Sequence, residues 1–101
     1  MSARDTFLKD YGISKEEGGK IISYCRKAKG YEQELILKAA QSVYPEIAAQ
    51  LFANLTTGIG YDNISKWNHI PMQRKDFQGY RRRTIEEYRR LMLLHGKNFL
   101  Q

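Results

Sequence analysis

The chain has 101 residues, of which 17 are Lys or Arg and 11 are Asp or Glu, so its formal net charge is +6. This length accommodates one small domain and excludes a multidomain enzyme. Hydrophobic residues make up 42% of the chain and aromatic residues 12%, which is enough for a modest core and excludes a disordered tail.

Cysteine, histidine and hydropathy restrict metal chemistry and location. The single cysteine, Cys25, cannot form an internal disulfide or a cysteine-based zinc site, and we predict that it is a core residue. His69 and His95 have no Asp or Cys at ligand spacing, so we expect no metal and no other cofactor. No run approaches the roughly 20 apolar residues that span a bilayer. We therefore expect a cytoplasmic protein without membrane contact.

The first two predicted helices have clear local signals. A short helix over residues 7–11 should end at Gly12. Ser14 and Glu17 then form the sequence of a capping box, in which each side chain satisfies a free backbone N–H at a helix start. The second helix should run to about Lys29, before Gly30.

The next two helices complete a predicted scaffold. Residues 31–44 carry an apolar stripe with helical spacing. Pro45 should open a fourth helix, because proline is favoured at the first helical position, and Gly58 should follow its end. We interpret residues 1–57 as a helical scaffold within a single domain that covers residues 1–101.

Residues 58–95 are predicted to form a helix-turn-helix. A helix of about two turns over residues 61–67 is followed by a turn around Ile70 and Pro71 and by a long helix from Gln73 to about His95. Trp67 is expected to be a core residue. The predicted fold is all-α, a compact bundle of about five to six helices with a long basic carboxy-terminal helix.

Charge and periodicity of the long helix indicate its function. Residues 66–97 contain nine basic and three acidic residues, so they carry the whole net charge. A helical wheel places an apolar stripe on one arc and a basic face beside it. Clustered Lys and Arg attract polyanions, and Arg, Lys and Gln are suited to base edges in a major groove. The candidate DNA-binding residues are Arg74, Lys75, Gln78, Arg81, Arg82, Arg83 and Arg89.

Within this set, Lys75, Gln78 and Arg82 are the expected groove-facing residues, and Arg83 and Arg89 the expected phosphate contacts. The alternative is a solvated charged face, because charge runs on helices usually contact only water. No phosphate loop, nucleophile elbow or zincin pattern is present, so we do not expect an enzyme.

The stretch around the turn resembles a known group of proteins. The runs Gly58-Ile59-Gly60-Tyr61-Asp62-Asn63-Ile64, Ile70-Pro71 and Arg74-Lys75-Asp76-Phe77-Gln78-Gly79-Tyr80-Arg81-Arg82 are similar to small phage and prophage proteins of Firmicutes, the ArpU-like phage transcriptional regulators, which look like sigma factor region four. The resemblance covers about residues 58–92 and implies DNA binding and regulation of late or packaging-related genes. One departure is the seven-residue spacing from Ile70 to Phe77, where about five is usual: either Met72 takes the turn position, or the turn is longer.

Two other functions remain open at this stage. The basic helix could bind an acidic protein surface, as in an adaptor for RNA polymerase or a phage assembly partner, and this predicts a large exposed apolar patch. RNA binding would require exposed aromatic platforms. The apolar carboxyl end (Leu91, Met92, Leu93, Leu94, Phe99 and Leu100) either folds back on the scaffold or covers a second copy in a homodimer.

Overall fold

The computed structural model describes residues 3–100, and within them it confirms the all-α prediction. Five α-helices and three short 3₁₀ turns follow one another, with no strand among these residues. The helices are α1 (Lys15–Lys27), α2 (Tyr31–Val43), α3 (Ala48–Thr57), α4 (Tyr61–Trp67) and α5 (Arg74–Leu94); the 3₁₀ turns are Ala3–Asp5, Leu8–Tyr11 and Pro45–Ile47.

Local signals set most of these boundaries. The backbone N–H of Glu17 donates to the Ser14 hydroxyl at 3.1 Å, so Ser14 caps α1 as predicted. The second half of the predicted capping box does not form, because the Glu17 carboxylate binds Arg89. Gly58 ends α3 in the left-handed conformation, with φ of 79°, which glycine adopts without steric cost. Pro45 opens a 3₁₀ turn, and the α-helix itself begins only at Ala48.

The core consists of two apolar clusters, and α5 contributes to both. Tyr88 and Met92, in its carboxyl half, pack with buried residues of α1 and α2, including Ile21 and Cys25. Phe77, in its amino half, packs in the second cluster with buried residues of α3, α4 and the segment between α4 and α5. The scaffold therefore positions both ends of the basic helix.

The structure decides two predictions about apolar residues, one for the carboxyl end of the chain and one for Trp67. Met92 and Phe99 are buried and fold back on the bundle, whereas Leu94 and Leu100 are exposed, so the carboxyl end is divided between the two alternatives. The prediction for Trp67 was wrong: 73% of this residue is exposed. Trp67 is the last residue of α4, which has only seven residues, and no other described element covers it, although it lies three residues after the buried Ile64.

Candidate nucleic-acid interface

The connection between α4 and α5 is held by a buried glutamine of α3. Gln50 is 4% exposed, and its amide donates to the Asn68 side chain at 3.2 Å and to the His69 carbonyl at 3.0 Å. Ile70 follows and is buried in the core. Because Ile70 occupies the buried turn position and residues 68–73 all lie outside helices, the turn is longer than the usual three to four residues.

Aromatic and charged contacts fix the start of α5 against α4. The Tyr61 hydroxyl donates to the Met72 carbonyl, and the Tyr61 ring centroid lies 5.7 Å from that of Phe77. Arg74 forms an exposed ion pair with Asp62. The first turns of α5 are thus tied to the short helix that precedes them.

A pocket of about 410 Å³ lies beside the first turns of α5. Four cations line it, together with one carboxylate, one amide and one aromatic ring: Arg4, Arg74, Lys75, Arg82, Asp5, Gln78 and Phe7. The structure therefore brings together Arg74, Lys75, Gln78 and Arg82 of the predicted residues. The ion pairs of Arg74 with Asp62 and of Arg4 with Asp76 reduce this excess of cations, and the charge that remains favours anions at the concave surface.

The opposite wall of the pocket is an amino-terminal strap, which we define as residues 3–7. The Arg82 guanidinium donates to the Thr6 carbonyl at 2.8 Å and to the Arg4 carbonyl at 3.2 Å. Its carbon lies 4.5 Å from the Phe7 ring centroid, in cation–π range. Arg82 therefore both lines the pocket and anchors the strap.

A glycine of α5 allows the strap to approach so closely. A Cβ atom at Gly79 would lie 2.6 Å from the backbone nitrogen of Arg4 and closer still to the Ala3 carbonyl. The strap is also held by the ion pair of Arg4 with Asp76, at 3.7 Å. The face of α5 around Gly79 is consequently covered by protein, and the accessible part of the predicted interface is its first turn and the pocket.

The other predicted residues lie away from the pocket and have protein partners. Arg89 forms an ion pair at 2.8 Å with the buried carboxylate of Glu17 in α1. Arg83 donates to the Tyr11 hydroxyl at 3.5 Å, and Arg81 donates to the Asn54 side chain at 2.6 Å. Burial, and then the positive charge of Arg26, lower the pKa of Arg81 below its ordinary value. Their role in DNA binding stays a prediction.

Sequence reasoning missed three residues of this region. Arg4 and Phe7 reach the pocket because the strap folds back on α5, and Gln50 holds the turn from α3. The one local signal was Gly79, a helix-weakening residue near the start of the long helix, which indicates a packing reason at that position.

Searches for other kinds of site give negative results within residues 3–100. No group of three or more His, Cys, Asp or Glu residues could hold a metal ion there. No helix in the described part of the chain is long and apolar enough to span a membrane. Comparisons of the chain with family models, curated proteins and solved structures find no match.

Proposed function

We propose that the protein binds duplex DNA with the first turns of α5 and the adjoining pocket, and that it regulates transcription, as the similarity to phage regulators implies. The observation that carries this proposal is the grouping of Lys75, Gln78, Arg74 and Arg82 with Arg4 around one pocket. The four residues of α5 follow a short helix and a turn, and amino-terminal residues of a recognition helix commonly contact base edges.

The side chains divide into two roles. Lys75 and Gln78 have the chemistry to contact guanine and adenine edges, respectively. Arg4, Arg74 and Arg82 are suited to backbone phosphates, which fix register without reading sequence. Two N–H donors of Arg82 already bind strap carbonyls, so its remaining donors are those available for a phosphate.

The test is a fluorescence anisotropy titration of a labelled duplex at several salt concentrations. Several phosphate contacts should give a log–log slope of several units. Lys75→Gln should weaken binding and reduce the slope by about 1. Lys38→Gln removes the same charge from an exposed position of α2 outside the pocket. It should leave the duplex affinity and its salt slope unchanged.

Three results would contradict the proposal. Equal binding of the duplex by Lys75→Gln and Lys38→Gln would indicate nonspecific attraction to net charge. Absence of binding at the lowest salt would remove DNA as a partner. Tighter binding of single-stranded RNA of equal length would favour the exposed Trp67 and Phe7 as stacking platforms.

A second candidate function rests on exposed apolar residues at the other end of α5. Leu94 is 73% exposed, Leu93 and Leu100 are also exposed, and the ring of exposed Tyr31 packs against His95. Such a surface fits a protein adaptor, with RNA polymerase as one partner, or a homodimer. Under this alternative, Leu94→Ser should abolish cosedimentation with RNA polymerase or self-association, and Lys75→Gln should not.

A further inference from the structure

Two arginines from different helices contact residues at the carboxyl end of α3. Arg26 of α1 lies on Gly58: a Cβ atom built there would be 2.5 to 2.7 Å from its guanidinium carbon and both terminal nitrogens. Because these three atoms are nearly equidistant from that position, the guanidinium plane faces Gly58. Its N–H groups lie in that plane, so they point along the surface and not into the helix end.

Arg81 of α5 contacts the same end of α3. It donates to the side-chain oxygen of Asn54, one helical turn before Gly58 and therefore on the same face. Asn54 is 7% exposed, and its own amide donates to the Ile59 carbonyl at 2.9 Å. The acceptor that holds Arg81 is thus itself fixed.

These two arginines have no acidic partner among the described residues. In residues 3–100, neither Arg26 nor Arg81 has a carboxylate within ion-pair distance, whereas Arg4, Arg74, Arg89 and Arg90 do. Arg26 has no hydrogen-bond acceptor in this part of the chain, and Arg81 has one. Burial, and after it the positive charge of Arg26, lower the pKa of Arg81 below its ordinary value.

We propose that Arg26 and Arg81 form a binding site for a phosphate group at the carboxyl end of α3. Two guanidinium groups can give charge-assisted, bidentate hydrogen bonds to phosphate oxygens, and a dianion would remove their mutual repulsion. The site shares no residue with the pocket beside α5 and does not depend on the proposed function. The phosphate belongs either to a nucleic-acid backbone or to a free phosphate or phosphomonoester.

A different explanation makes a different prediction. Cations are stabilised near helix carboxyl ends by the helix dipole, so Arg26 could serve α3 alone. In that case Arg26→Gln would change stability equally with and without phosphate. If the site binds phosphate, the increase in stability on adding phosphate must be smaller in Arg26→Gln than in the native chain.

The direct test is a titration of the full chain with inorganic phosphate at constant ionic strength, with chloride as the balancing anion. The readout is the NMR shift of the Gly58 and Ile59 backbone amides. Saturable shifts are expected for the native chain. Arg26→Gln should weaken phosphate binding about tenfold or more, and Lys38→Gln should not change it. Absence of saturable shifts, or equal shifts in Arg26→Gln, would overturn the proposal.

Two conservative variants separate recognition from charge and folding. Arg26→Lys and Arg81→Lys keep the positive charge but lose the planar fork, so both should bind phosphate more weakly while remaining folded. If both bind as the native chain does, the proposed bidentate site is wrong.

A duplex arm identifies the source of the phosphate. For a backbone phosphate, Arg26→Gln should reduce the slope of duplex affinity against salt by about 1. For a free phosphate, the amide shifts should depend on Arg26 while duplex affinity does not. The phosphate titration contains no DNA. Its result therefore tests the phosphate site even if the protein does not bind duplex DNA.

Discussion

Replacement of Gly79 by alanine tests the packing of the strap on α5. The Cβ of an alanine would lie 2.6 Å from the Arg4 nitrogen, whereas ordinary van der Waals contact begins near 3.4 Å. The obstructing atoms belong to the strap backbone and cannot rotate away as a side chain would. The strap must therefore move by about 1 Å or more, which would break hydrogen bonds that depend on its position.

The expected cost follows from the contacts that are lost. The Arg82 guanidinium makes two hydrogen bonds to strap carbonyls, and bonds to charged groups contribute about 1.5–3 kcal/mol each when buried. Arg82 is half-buried, so water replaces part of that energy, and we expect a loss of about 2–3 kcal/mol in total. Alanine regains about 1 kcal/mol of helix propensity. The net effect is a destabilisation of about 1–2 kcal/mol, or about 5–10 °C in Tm.

Gly19→Ala is the matched control, because Gly19 is also helical and a Cβ there meets nothing within 4 Å. This variant should gain up to about 1 kcal/mol. Thermal denaturation measures both variants, and hydrogen exchange of the Thr6 amide, which donates to the Ala3 carbonyl, reports on the strap. If Gly79→Ala stabilises the protein as much as Gly19→Ala and leaves Thr6 exchange unchanged, the strap does not pack as described.

Three further predictions concern the core and the surface. Glu17→Gln removes the buried partner of Arg89, and because Arg89 is partly exposed we expect a loss of about 1–3 kcal/mol in urea denaturation. Glu16→Gln, at an exposed neighbouring position, should change stability by less than about 0.5 kcal/mol; equal effects would contradict the Glu17 contact. Burial raises the pKa of Cys25 to about 12, so the folded state keeps a proton that the unfolded thiol loses near pH 9. This contribution to stability is complete below about pH 9 and is lost as the pH rises toward 12, so Cys25→Ala should have a flatter stability profile over that window; parallel profiles would refute it. Trp67 should be quenched by acrylamide almost as efficiently in the native protein as in urea, and Trp67→Ala should cost less than about 0.5 kcal/mol; strong native protection would show that it is covered.

The sequence by itself determined the helices, because their signals are local. The Ser14 hydroxyl accepts from the N–H of Glu17, which is three residues away in the sequence. Gly58 ends α3 through its own backbone conformation. The apolar stripe of α5 also followed from periodicity alone: Phe77 and Tyr88 are buried as predicted. The sequence also predicted that Lys75 and Gln78 lie together, because residues three apart share a helix face.

Only the tertiary structure decided what covers each face. Arg82 and Thr6 are 76 residues apart, and no local spacing predicts that the amino-terminal strap returns to this side of α5. Arg81 turns toward α3, where Asn54 accepts its hydrogen bond, and it is only partly exposed, although its charge alone favours a fully exposed position. A helical wheel gives the face of the helix on which a side chain lies. The residues that contact this side chain depend on how distant segments of the chain pack. This packing determines which N–H groups of the arginines remain available to an anion.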